Sequence, residues 1–263
     1  MYSLFTKTLY DKRSFIIGWG LGMVFIGYLM TVFYPAFHQN NSIDELVKNL
    51  PPAFQGLVGN LNNLKELPSY LGSQLFNVRI PIFVSIMSII IAIGLTVGEE
   101  EKGQLRTLIS MPLSRTHVLM SKWLAIVFIC LIATLATVVG IEFGLLFIKE
   151  NLDYMVLVRL GSMMWLFAVA LATIIFSIGL ATGRRGITMG LGVLIAVGSF
   201  LLTTFAVSVD WLQPYEKFSI LYYFPASDIA KGTYDISNVL VYLGLIIVSL
   251  LIGIICFRRR DVR

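Results

Sequence analysis

Residues Gly98–Lys122, GEEEKGQLRTLISMPLSRTHVLMSK, decide how this chain is read. They form a long polar interruption between two runs too apolar to sit anywhere but in a bilayer. A chain that needs only to reverse direction does so in a handful of residues. A segment this long therefore carries structure of its own, and its signals are helical. Glu99, Glu100 and Glu101 open it, as carboxylates do at a helix N-terminus. Leu105, Leu108 and Ile109 follow at helical spacing and make one apolar stripe. Met111-Pro112 ends that piece, because proline disfavours the helical conformation in the residue before it. Ser114 can then cap a second helix running through Val118 and Lys122 into the next membrane span. The predicted shape is a short amphipathic helix across a membrane face, joined by a proline turn to a span. Two uses fit it: a docking surface for a soluble protein, or an interfacial helix resting on lipid headgroups.

Composition sets the class. Of 263 residues, 57% are hydrophobic and only 13% charged, with a mean hydropathy of +0.83. Soluble domains carry about 25% charged residues, so long charge-free blocks at half that value indicate an integral membrane protein. The first apolar run is of full-span length and ends without a small-x-small site, so it is expected to stay as a span, not to be cleaved as a signal. Cys130 and Cys256 both fall inside apolar runs and read as small packing residues.

Working outward from the central stretch, hydropathy predicts an all-α polytopic protein forming one transmembrane domain over 1–263. Its six spans fall at about 15–34, 80–97, 123–148, 158–181, 187–209 and 238–257. Met1–Ser14 reads as an interfacial helix before the first span. Loops are expected at 35–79, 98–122 and 210–237; within the first, Ser42 and Glu45 form a capping box and Pro51-Pro52 stops the helix it starts. Gly18 and Gly22, and Gly186 and Gly190, carry the small-xxx-small spacing that lets helix backbones approach; they are candidates for packing within one bundle or for a dimer seam. Tyr222, Tyr223 and Phe224 suit an aromatic belt at the outer interface.

Six spans put both termini on one side. With the termini cytoplasmic, inner segments hold 13 of the 20 Lys and Arg residues and the much longer outer segments hold 7. The positive-inside rule then predicts cytoplasmic termini and a cytoplasmic 98–122 loop. The +5 net charge is thus a topology signal, and a nucleic-acid partner is not needed to explain it.

Chemistry is sparse. Glu142 is the one acid within a span, and an ionisable group there is a candidate for the transport path or for a polar contact; a carboxyl wetted by the nearby interface is the alternative. His38 and His117 fall on opposite sides of the predicted membrane, so neither a Ser-His-Asp set nor a two-His metal site can be assembled from them. No G-x-x-x-x-G-K-[ST] phosphate loop occurs, so no cofactor is expected in this chain, and any ATP-derived energy must come from a partner.

The string E-x-x-x-G-x-L-x-x-L-I-S-x-P-x-S-R, carried by Glu99, Gly103, Leu105, Leu108, Ile109, Ser110, Pro112, Ser114 and Arg115, resembles the cytoplasmic loop of the type 2 ABC (ABC-2) exporter permeases. Ser219–Ser227, SILYYFPAS, and the terminal Phe257–Asp261, FRRRD, resemble the end of the same permeases. Gln104 and Ser121 depart from that pattern, where threonine and glycine are usual. The resemblance implies a six-span bacterial cell-membrane permease. Its coupling helix, here Glu99, Glu100, Glu101, Gly103, Leu105, Arg106, Leu108, Ile109, Pro112 and Arg115, would dock an ATP-binding subunit. The implied assembly has two permeases and two ATP-binding subunits, which hold ATP and Mg, surrounded by membrane lipids. The expected function is ATP-driven export of an amphipathic, lipid-like or peptide substrate. A secondary transporter or channel would show repeats and midplane charges; a non-transporting anchor for a regulatory ATPase would need the same docking helix.

Overall fold

A computed structural model describes residues 2–39, 66–103, 114–206, 209–233 and 235–260. The predicted capping box at Ser42 and Glu45, and Pro51-Pro52, lie outside the described residues. Among those described there is no strand, and six helical stretches are long and apolar enough to cross a membrane: Arg13–Ala36, Leu67–Glu101, Arg115–Ile148, Tyr154–Thr182, Arg185–Ala206 and Ile236–Arg259. The chain is thus an all-α, multi-pass membrane protein. In lipid a backbone must satisfy its own hydrogen bonds, which is why β-branched runs such as Ile89–Ile91 are helical here despite their strand propensity.

In order, α1 (Tyr2–Asp11) leads into α2 (Arg13–Val32) and α3 (Tyr34–Gln39). The second crossing begins as α4 (Leu67–Tyr70), passes through a π-helical stretch (Leu71–Arg79) and continues as α5 (Ile80–Leu95) and α6 (Val97–Glu101). Then follow α7 (Arg115–Ile148), α8 (Tyr154–Thr182) and α9 (Arg185–Ala206). Short 3₁₀ turns at Asp210–Phe218 and Leu221–Tyr223 and a small α10 (Ala226–Ala230) precede α11 (Ile236–Arg259).

Two expectations are corrected. The second helix starts at Leu67 instead of Ile80, so the last part of the expected 35–79 loop is helix. Tyr70, Leu71, Leu75 and Phe76 recur at helical spacing and are fully buried, and Asn77 bonds the Ser227 hydroxyl (3.0 Å) and the Ala226 amide (3.1 Å) of α10. Phe224 does not join an aromatic belt. It is buried and stacks on Phe167 of α8, centroids 6.0 Å apart, while Tyr222 and Tyr223 are half-buried.

Helix α8 is the centre of the bundle: most of it is buried, against α5, α7, α9 and α11. By contrast α2, α9 and α11 leave broad apolar faces uncovered, among them Ile17, Leu21 and Phe25, Leu194 and Val197, and Ile247 and Leu251. Such continuous apolar exposure suits lipid or another membrane helix and is foreign to a monomeric soluble surface. The tightest seam joins α2 to α7. A Cβ on Gly27 would meet the Thr137 carbonyl oxygen at 2.6 Å, and one on Gly144 would meet Thr31 at 2.5 Å, while one on Gly140 would overlap the Val24 carbonyl. Dispersion and close backbone approach, not water exclusion, hold helices together in lipid, so these glycines set the seam.

Candidate functional site

The polar end of the bundle forms where α5 breaks. Thr96 leaves the helical region (φ −116°, ψ −97°) while its hydroxyl still donates to the Ala92 carbonyl at 2.7 Å. Gly179 of α8 makes room for it: a Cβ there would sit 2.5 Å from the Thr96 hydroxyl. The break starts the five-residue α6, which carries Glu99, Glu100 and Glu101 and ends before Gly103 in the left-handed region (φ 70°). One short helix therefore presents three successive carboxylates. Successive helical residues point in different directions, and each carboxylate meets a cation from a different part of the chain.

Glu99 pairs with Lys122 of α7, and Lys122 also donates to the Leu95 carbonyl at 3.4 Å. This lysine is 1% exposed and its partner 14%. A buried ammonium is tolerated only with an opposite charge and satisfied donors, and the freed carbonyl at the end of α5 supplies one acceptor. Glu100 pairs with Arg260, just past the end of α11, and both side chains are mostly covered. Glu101 reaches Arg185 at the start of α9 at 3.4 Å; both are exposed, and such a pair is worth little, about 0–1 kcal/mol. The acidic triplet thus ties α6 to α7, to α9 and to the C-terminal end of α11.

The start of α7 is built as its sequence predicts. Ser114 is extended (φ −66°, ψ 139°), and its hydroxyl accepts from the His117 amide at 3.2 Å. Arg115 donates to the Arg260 carbonyl at 3.4 Å, bringing the first residue of α7 to the end of α11. The amine of Lys12, at the junction of α1 and α2, lies beside Gly94, so the N-terminal helix borders this same end of the bundle.

Of the sequence-predicted docking residues, Glu99, Glu100, Glu101, Gly103 and Arg115 gather here. Leu105, Arg106, Leu108, Ile109 and Pro112 lie outside the described residues. The triplet lies in the five-residue α6, with Glu99 and Glu100 in its first turn, and all three of its carboxylates pair with cations of this chain. Sequence reasoning missed their partners. Lys122 was visible only as the end of the polar stretch, and Arg260 is one of three successive arginines that composition cannot tell apart.

The other candidates lie elsewhere. Glu142, near the far end of α7, is half-buried and makes no hydrogen bond or ion pair among the described residues. Among the described residues, a Cβ on Gly18, Gly22, Gly186 or Gly190 meets no atom within 4 Å. Gly18 and Gly22 line an open groove of about 460 Å³ with Phe15, Trp19 and Phe83.

No curated protein matches this chain. A family profile does, over residues 2–262, which is nearly the whole chain and includes the acidic triplet and the cations that hold it. Six helices long and apolar enough to cross a membrane fit a six-span permease, and by this match the chain belongs to the ABC-2 family of transporter proteins.

Proposed function

We propose that this chain is the permease subunit of an ATP-driven exporter, with an ATP-binding subunit docking at the end of the bundle that carries α6 and segment 104–113. The observation that carries this reading is the acidic triplet: force applied to one short helix reaches α7, α9 and α11 through three ion pairs. A permease driven from outside needs such a junction, since local displacement must become a change in packing of several spans. The partner supplies ATP, Mg and the hydrolytic chemistry.

Two permeases and two ATP-binding subunits make the working assembly, and the path runs between the permeases. The uncovered faces of α2 and α9, with their open glycines at 18, 22, 186 and 190, support pairing with a second permease copy or a related one. The density of Lys and Arg at the α6 end supports a cytoplasmic position for it, in a bacterial plasma membrane. The substrate is amphipathic, lipid-like or peptidic, consistent with predicted spans that hold a single acid, Glu142, near an outer end.

The test is co-purification with a co-expressed ATP-binding subunit, sought first among the genes that flank the chain's own. Leu108→Glu, in the predicted apolar stripe, and Glu101→Arg, which leaves the two covered pairs intact, should both weaken capture. Full capture by both variants, or solute movement by the purified chain without any ATPase, refutes the assignment.

A further inference from the structure

The basic C-terminus, Arg258-Arg259-Arg260, reads from sequence as a solvated run that fixes orientation in the membrane. Arg258 and Arg259 behave so and are exposed. Arg260 does not. The helix ends at Arg259, and Arg260 is extended (φ −93°, ψ 136°), which turns its side chain back into the bundle. There its guanidinium pairs with Glu100 of α6 and donates to the Leu180 carbonyl of α8 at 3.1 Å. Its own carbonyl accepts from Arg115 of α7 at 3.4 Å. Gly183, in the left-handed region (φ 61°), leaves the space the guanidinium fills; any Cβ there would overlap it. One residue, directly following the end of α11, thereby bonds α6, α7 and α8. The planar fork of arginine allows two acceptors in fixed directions, which a lysine point charge does not.

We propose that Arg260 is a positioning residue: it holds α6 against the ends of α8 and α11, so that movement of the docking segment is passed to the fourth and sixth crossings. This rests on the docking function proposed above and adds the route by which two of the six crossings are engaged. Lys122 serves α7 through Glu99; Arg260 serves α8 and α11 through Glu100.

Hydrogen exchange of the full chain in lipid nanodiscs tests the clasp without any partner. Local opening free energies set exchange rates. Arg260→Ala should speed exchange of amides in 98–103 and 180–185 by about tenfold, equivalent to about 1.4 kcal/mol, and leave the α2–α7 seam unchanged. Glu100→Gln should loosen 98–103 but not 180–185, since the bond to Leu180 survives. Arg260→Lys should fall between wild type and Arg260→Ala, and Arg259→Ala should match wild type. Unchanged exchange at 98–103 in Arg260→Ala overturns the clasp. For transmission, exchange across α11 is compared with and without ATP and vanadate in the complex with the co-expressed ATP-binding subunit. The nucleotide-dependent change expected in wild type should vanish in Arg260→Ala while the subunit stays bound; its persistence overturns the route. A wild-type chain that captures no subunit overturns the docking reading and the transmission with it, and the partner-free exchange still decides the clasp.

Discussion

Replacing Lys122 by methionine removes a charge from the least wetted ion pair of the protein while keeping an unbranched side chain to fill its space. Lys122 is 1% exposed and Glu99 14%, so the carboxylate left behind has little water to turn to. Breaking one side of a buried pair costs about 3–5 kcal/mol, because the orphaned charge keeps its desolvation penalty. Glu99 retains some access to solvent, which brings the cost to or below the bottom of that range, at about 2–3 kcal/mol. In a chain of 263 residues each kcal/mol moves the unfolding midpoint by about 2–4 °C, so a drop of roughly 5–10 °C is expected. The decisive measurement is the double-mutant cycle with Glu99→Gln, read as thermal midpoints in one detergent or nanodisc preparation. With both charges gone no ion is stranded, so Lys122→Met/Glu99→Gln should be less destabilised than the sum of the single variants by about 2 kcal/mol. Additivity within about 0.5 kcal/mol would show that the two groups are not coupled and refute the reasoning.

Further outcomes follow from the same geometry. Gly140→Leu should destabilise the chain by about 3 kcal/mol or more, because its side chain would enter the Val24 backbone, which cannot move aside. Gly22→Leu should leave the thermal midpoint of the separate chain within a few degrees while weakening association between permeases, as measured by cross-linking in membranes. Ser114→Ala should lower stability by about 1 kcal/mol through loss of the cap to the His117 amide, and Ser114→Asp should restore it. Asp235 caps α11, and hydrogen bonds from Ser237 hold its carboxyl below the usual carboxylate value. Its contribution is therefore complete above the unfolded-state value near pH 4 and is lost as the pH falls through the lowered folded-state value. Exchange of the first α11 amides should rise with acid over that window, and Asp235→Asn should flatten the dependence.

The crossings were legible in the sequence because a bilayer imposes a simple rule. Some twenty apolar residues must be helical, since no water is present to satisfy a backbone arranged otherwise. Ser114 was legible for a local reason too: its hydroxyl reaches an amide three residues on. The start of the second crossing was not. Leu67–Arg79 is polar enough to pass for a loop, and it becomes helical because distant segments cover it: Tyr70 bonds the Met30 carbonyl of α2, Phe76 meets Phe224, and Asn77 bonds Ala226 and Ser227. Phe224 was misplaced for the same reason, as an aromatic next to a proline looks the same at an interface as in a core.

The glycines mark the boundary most clearly. The spacing of Gly18 and Gly22 equals that of Gly140 and Gly144, yet among the described residues only the second pair meets another helix of this chain. Spacing states which residues share a face; it does not say what that face meets. The acidic triplet obeys the same limit. Sequence alone established a polar, charged elbow between two spans, because charge and hydropathy are properties of single residues. Only the tertiary structure decided that Lys122, Arg185 and Arg260 would converge on it from three separate parts of the chain, because pairing depends on distances between residues up to 160 positions apart.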